Sequence, residues 1–153
     1  MAAAAERVRV LFLCTGNSCR SQMAEGWARA LLPTVVEPFS AGTQPGELNQ
    51  LAVRAMAEAG VDITQQRPKH VDALAGQPFH LVVTVCDAAS QSCPRLPGAT
   101  RVVHRSFDDP PALAARLAAG ADPMPHYRRV RDEIRSFVQT LPTLLQGEPH
   151  HVQ

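Results

Sequence analysis

The sequence has little of several things that would mark other classes of protein. Aromatic residues make up 5% of its 153 positions, with one Trp, one Tyr and five Phe, so few rings are on hand to wall a pocket for a flat substrate. Charge of either sign is balanced: 15 Lys plus Arg against 14 Asp plus Glu leave a formal net charge of +1. A nucleic-acid or membrane-surface protein needs a strongly basic face, and this balance argues against both. No apolar run approaches the ~18 residues of a membrane span. The start, Met1 to Ala5 followed by Glu6 and Arg7, lacks the charged-then-apolar order of a secretory signal, so the expected compartment is the cytoplasm. The four cysteines, Cys14, Cys19, Cys86 and Cys93, are too few and too unevenly spaced for a disulfide-stapled mini-protein. A chain of this length with 45% apolar side chains has a core without them. In a reducing compartment they are thiols with chemical roles or small buried hydrophobes. One catalytic domain over residues 1–153 is expected, with an ordered core from about 7 to 146 and short tails.

Val8 to Leu13 is a short, nearly continuous apolar run that stops at Cys14, as a fully buried parallel strand would. Turn formers follow, and from Ser21 to Leu32 Met23, Trp27, Ala30 and Leu31 recur at helical spacing until Pro33. Val35 to Ser40 reads as a second strand, placed by Pro38 at an edge or an irregularity. Leu48 to Ala59 reads as a helix closed by Gly60, and Val71 to Ala75 as a short one. Leu81 to Val85 is the cleanest strand and again ends at a cysteine, while Arg101 to His104 is a fourth. Asp109-Pro110-Pro111 opens a helix at Ala112, and Pro125 to Leu141 forms the last. Alternation of this kind predicts an α/β fold, a four-stranded parallel sheet with helices on both faces. Ligands of such sheets bind beyond the carboxyl ends of the strands.

At the first strand end stands Cys14-Thr15-Gly16-Asn17-Ser18-Cys19-Arg20-Ser21. A glycine-containing turn between a strand and a helix can converge its backbone N–H groups on an anion, the helix adds its positive end, and Arg20 offers a bidentate fork. Thr15, Gly16, Asn17, Ser18, Cys19, Arg20 and Ser21 are therefore candidate oxyanion-binding residues. The same field favours the nucleophilic thiolate of Cys14, to which Ser21 can donate a hydrogen bond, while Asn17 fixes the loop. Asp109, held extended before proline, is the candidate general acid; as an alternative, Asp108 or Asp109 caps the following helix.

This run resembles the Cys-x5-Arg-Ser loop of the low-molecular-weight tyrosine phosphatases. Extended to Cys-Thr-Gly-Asn-Ser-Cys-Arg-Ser-Gln-Met-Ala-Glu-Gly, it is similar to the form found in thioredoxin-coupled arsenate reductases on that fold, over about Val8 to Leu141. The resemblance implies that arsenate is reduced to arsenite in a three-thiol relay. Cys14 attacks arsenate, Cys86 attacks Cys14, and Cys93 carries the oxidation outward as a Cys86 to Cys93 disulfide. Electrons come from thioredoxin, thioredoxin reductase and NADPH, with no bound cofactor; three redox thiols in one chain favour this donor over glutathione with glutaredoxin or over mycothiol. The segment from Cys86 to Cys93 is small and polar. On an unbroken helix a seven-residue offset separates Cα atoms by ~10 Å, beyond the ~7 Å reach of a disulfide, so oxidation requires local unwinding. A zinc site is the competing use of four thiols, and its spacing fits poorly; Cys93 as an inert buried thiol is another. Cys19 is expected to be structural.

Some such reductases bind a potassium ion with an Asn, a Glu, a Ser and an Asp. Asn17, Glu25 and Ser40 match, but Lys69 falls where the carboxylate would be, which implies an ammonium in the cation's place or a solvated lysine. The alternative function is phosphate monoester hydrolysis by a low-molecular-weight phosphatase. It requires one cysteine only, but Phe107 is the single ring near Asp109, and Tyr127 and Trp27 have no evident place at the mouth. Weak phosphatase activity is expected as a by-product. The histidines are scattered without ligand spacing, and Arg128, Arg129, Arg131 and Arg135 read as the solvated face of the last helix. The expected partners are an arsenate- or phosphate-like oxyanion and thioredoxin, with no nucleic acid or membrane, and the expected state is a monomer.

Overall fold

The computed structural model describes residues 7–85 and 101–146, and Cys86 and Cys93 lie outside them. Its four strands are β1 (Val8–Cys14), β2 (Val36–Gly42), β3 (Leu81–Thr84) and β4 (Val102–His104). All pair in parallel, in the order β2-β1-β3-β4. The order reverses direction at β1, whose neighbours on either side come later in the chain, and a crevice opens at such a switch point. Register places Cys14 opposite Gly42, Leu13 opposite Thr84, and Thr84 opposite His104, so these strand ends share one edge of the sheet. Pro38 sits on the edge strand β2, where a missing ladder donor costs least.

The apolar runs of β1 and β3 read continuously because both faces are covered. Val10, Phe12, Leu81 and Val83 face one core with Met23, Trp27, Met56, Val130, Ile134 and Val138. Leu11, Leu13, Ala41 and Val82 face a second, smaller core with Val71, Leu74 and Phe79. The first is built by helices α1 (Arg20–Leu31), α2 (Gln50–Glu58) and α4 (Met124–Gln139), and the second by a single 3-10 turn, Val71–Leu74, among the described residues. Each fully buried aliphatic or aromatic side chain contributes about 1.5–3 kcal/mol of transfer free energy to these layers.

Helix limits follow local chemistry. In α2, Asn49 Oδ1 accepts from the N–H groups of Leu51 and Ala52, which sets the start two residues later than periodicity alone places it. Helix α3 (Pro110–Ala115) begins on its paired prolines. The last helix divides at Thr140 into α4 and α5 (Leu141–Gln146), because Pro142 has no N–H to continue the ladder and fits only a first turn. No helix of the described residues is long and apolar enough to cross a membrane.

Gly42, at the carboxyl end of β2, fixes how closely the loop after β1 can seat. A Cβ there would lie 2.5 Å from the Thr15 carbonyl oxygen and 2.9 Å from that of Cys14, both backbone atoms with little freedom to move. A Cβ on Gly46 would meet nothing within 4 Å. Gly42→Ala is expected to lower the melting temperature by about 3–10 °C, from an overpacking cost of about 1–3 kcal/mol. Gly46→Ala is expected to leave it within about 2 °C. Differential scanning calorimetry of the two variants checks the contrast.

Candidate active site

The loop from Cys14 to Arg20 leaves β1 and enters α1 with its carbonyls turned away from the space it encloses. Thr15 O accepts from Gln44 N–H at 2.9 Å, Gly16 O from Gly46 N–H at 3.0 Å, and Ser18 O from Asn49 N–H at 2.9 Å. Asn17 O accepts from Gln22 Nε2 at 2.9 Å. No peptide among the described residues is cis. In a trans peptide the N–H opposes its carbonyl, so the N–H groups of Gly16, Asn17, Ser18 and Cys19 point inward. Asn17 takes the left-handed conformation, φ 48°, that makes the turn possible, and asparagine tolerates it better than most residues. Both ends of its side chain are engaged: Nδ2 donates to Ser21 Oγ at 2.8 Å, and Oδ1 accepts from Lys69 N–H at 2.9 Å.

These N–H groups open on a cavity of about 260 Å³ lined by Cys14, Thr15, Gly16, Ser18, Cys19, Arg20, Asp109 and Pro111. Of the residues expected to bind an oxyanion, Asn17 and Ser21 lie behind this lining, both fully buried. The Ser21 hydroxyl accepts from Asn17 Nδ2, a role compatible with donating its own proton to the Cys14 sulfur. The N-cap of α1 is Cys19, which makes no side-chain capping bond. The first turn of α1 thus keeps its positive end available to an anion. Burial pushes the Cys19 thiol far up, Asp109 adds to this, Arg20 opposes it and Cys14 adds slightly, so Cys19 stays protonated.

Arg20 is buried and held by three different parts of the chain. Nη1 donates to Phe107 O at 3.0 Å and to Val85 O at 3.5 Å, while Nη2 stands 3.7 Å from Asp109 Oδ2. Asp109 supplies only its backbone to the start of α3, where its carbonyl accepts from Leu113 N–H at 3.0 Å. Its carboxylate makes no capping bond. The side chain therefore faces the cavity and Arg20 rather than the helix, and the neighbouring Asp108 turns outward to Arg129 at 2.9 Å.

Beneath the loop, the four positions of the cation comparison come together. Ser40 Oγ donates to Glu25 Oε1 at 2.5 Å, Arg29 Nη2 donates to Glu25 Oε2 at 2.5 Å, and Lys69 Nζ donates to Ser40 O at 3.0 Å. Burial lowers the Lys69 pKa; Glu25 opposes this shift and Arg29 reinforces it. A second chain of bonds runs inward from Arg29 to Gln66, from Gln66 to Gln22, and from Gln22 to the Asn17 carbonyl.

Three arginines of α4 are not simply solvated. Arg128 pairs with Glu58, Arg131 donates to Ala55 O and pairs with Asp132, and Arg129 bridges Asp108 and Glu133. The fourth, Arg135, lies over the Trp27 ring at 5.4 Å. Sequence reasoning missed Asn49 and Tyr127, which meet through Asn49 Nδ2 and Tyr127 Oη at 3.2 Å. Asn49 carries a helix-cap signal in its residue type, but nothing local to Tyr127 points to a partner 78 residues away.

Comparison with known proteins agrees with this geometry. An arsenate reductase of Halalkalibacterium halodurans is 43% identical over 131 residues, which cover 86% of this chain and 92% of that relative. An arsenate reductase solved in the phosphate binding state superposes with a TM-score of 0.74 at 25% identity, covering 90% of this chain and 98% of the other. A thioredoxin-dependent arsenate reductase of Corynebacterium glutamicum has a TM-score of 0.66 at 25% identity, covering 94% of this chain and 64% of that one. The family described as low molecular weight phosphotyrosine protein phosphatase matches residues 9–150. Because that match takes in the sheet, the thiol loop and the last helices together, the chain belongs to this family.

Proposed function

We propose that this protein reduces arsenate to arsenite at Cys14, with Cys86 and Cys93 relaying electrons from thioredoxin. The observation that carries the reading is the convergence of the Cys14 thiol, the Arg20 guanidinium and the Asp109 carboxylate on one cavity floored by inward N–H groups. Relatives of similar length, arsenate reductases by name, support it.

The chemistry proceeds by balanced exchanges. The Cys14 thiolate forms a sulfur–arsenic bond, and one hydroxyl of the protonated arsenate leaves as water with a proton from Asp109. Loop N–H groups and Arg20 hold the remaining oxygens. The Cys86 thiolate then attacks the Cys14 sulfur. The sulfur–arsenic bond breaks with its electron pair kept by arsenic, arsenite departs, and a Cys14 to Cys86 disulfide remains. Cys93 displaces Cys14 from that disulfide, and the dithiol of thioredoxin takes up the oxidation from Cys86 and Cys93, to be restored by thioredoxin reductase and NADPH. The electrons enter through thiols, and the reading needs no resident cofactor. Its support near Cys86 is Val85, whose carbonyl accepts from Arg20 and so brings the preceding residue to the cavity. The protein acts as a monomer in the cytoplasm, where thioredoxin keeps thiols reduced.

Phosphate ester hydrolysis is the second reading, favoured by a loop that fits any tetrahedral oxyanion. The cavity lining has no aromatic ring among the described residues, and Phe107 and Tyr127 are buried, which leaves an aryl ester little to stack on.

Lys69 takes the part of a monovalent cation. Its ammonium lies against Ser40 O, and Glu25 reinforces its charged form. Turnover is therefore expected to be equal in potassium and sodium salts, and strong activation by potassium would overturn this assignment.

With thioredoxin, its reductase and NADPH, arsenate-dependent NADPH consumption is expected for the wild type and not for Cys93→Ser, which keeps its slow hydrolysis of aryl phosphate. Brisk hydrolysis that ignores Cys93, without arsenate turnover, would make the protein a phosphatase. Asp109→Asn is expected to slow the arsenate reaction by about 10²–10⁴-fold, the usual contribution of a positioned acid, with thiol exchange by Cys93 unaffected.

A further inference from the structure

Asn49 joins three parts of the molecule with separate atoms. Its N–H donates to the Ser18 carbonyl at 2.9 Å, which holds one arm of the oxyanion loop outward. Its Oδ1 accepts from Leu51 and Ala52 N–H at 2.9 and 3.0 Å, which caps α2. Those two bonds fix the plane of the side-chain amide, and Nδ2 is left pointing at Tyr127 Oη, 3.2 Å away. Tyr127 is 2% exposed, on the core face of α4 with Val130 and Ile134. A phenol oxygen at such a position is stable only with a partner, and the amide supplies it. Burial raises the Tyr127 pKa and the Asn49 hydrogen bond opposes this. Two residues on, Arg129 holds Asp108 beside the acid. The start of α4 thus touches the anion loop through Asn49 and the acid segment through Asp108.

We infer that Tyr127 and Asn49 form a positioning pair that keeps the Ser18 carbonyl turned outward and the Cys19 N–H turned into the cavity, and so sets the affinity of the loop for tetrahedral oxyanions. The inference rests on the oxyanion reading of the loop. Neither side chain lines the cavity, so the pair acts through the Ser18 peptide and not on the anion itself. Removing the phenol oxygen takes from Asn49 Nδ2, on a half-buried side chain, the acceptor that orients it. Without that acceptor the amide is freer to turn from α2 and to shift the backbone that grips Ser18.

Two conservative variants separate positioning from packing. Tyr127→Phe keeps the ring in the core, and Asn49→Ser keeps both a cap oxygen and the backbone donor. Titration calorimetry of the reduced, full-length protein with inorganic phosphate reads the loop directly and requires no turnover. Each single variant is expected to bind phosphate about fivefold more weakly. The double variant is expected to be no weaker than the worse single, because both changes break one connection. Unchanged phosphate affinity in the singles, even with a lowered melting temperature, overturns the inference and leaves the pair structural. Losses that multiply in the double variant overturn it as well. A wild-type protein that binds no phosphate overturns the oxyanion reading and this inference together, whereas binding that ignores both substitutions overturns the inference alone.

Discussion

Four consecutive carbonyls, Thr15 to Ser18, are pulled outward by four different donors, and the rest of the site depends on that pull. Peptide planarity makes the consequence unavoidable: while the carbonyls face away, the N–H groups that follow face the cavity. To turn one inward, the loop would have to break one of these hydrogen bonds, each worth about 0.5–1.5 kcal/mol. The donors come from Gln22 in α1 and from Gln44, Gly46 and Asn49 in the stretch between β2 and α2. That stretch is as much a part of the anion site as the thiol loop itself. Gly42 lets it approach, and the Lys69 N–H completes the frame through Asn17. The orientation is settled when the protein folds, so an arriving oxyanion does not have to impose it.

The same frame separates two thiols that stand five residues apart. Both line the cavity and both are buried, and at Cys19, the N-cap position of α1, desolvation outweighs the help of Arg20. Cys14 ends a strand and opens on the cavity opposite Asp109. The proposed nucleophile of the loop is Cys14, and the protonated second sulfur fills space as a small apolar group. This matters for a proposed relay, since a reactive thiol this close would compete with Cys86 for the oxidised sulfur.

Much of this was legible in the sequence because the determinants are local. The apolar run ending at Cys14, the glycine turn, the six-residue step to Arg20 and the helix beyond are covalent neighbours, and their order alone predicts the strand, loop and helix observed. Asp109 was readable only as a choice between acid and helix cap. The missing cap bond sets the side-chain cap aside, and a contact with Arg20, 89 positions earlier in sequence, places the carboxylate at the cavity where the proposed acid role needs it. The outward anchors were not readable, because three of the four are backbone N–H groups that any residue but proline would offer. The arginines of α4 read as a solvated face from periodicity, yet Arg128, Arg129 and Arg131 meet acceptors on other elements. Tyr127 fell at a core position of the same helix, where spacing reports the ring and is silent on the hydroxyl.

A loop that recognises charge and tetrahedral shape does not distinguish phosphorus from arsenic, so the outcome of the reaction is set after the first bond to sulfur forms. Water at the adduct gives hydrolysis, and a second thiol at the Cys14 sulfur gives reduction. Arg20 is the group through which these steps share a structure. One guanidinium faces the anion cavity, stands beside the carboxylate of Asp109, and grips the Phe107 and Val85 carbonyls, the latter one residue before the proposed second thiol. A lysine, with a single point charge on a flexible stem, could not span those directions at once. Because Asp109 and the end of β3 are both referenced to the same rigid plane, the proposed proton donor and Val85 keep a fixed relation to the cavity. The arginine of the loop is therefore an organiser of the proposed relay as well as a binder of its substrate.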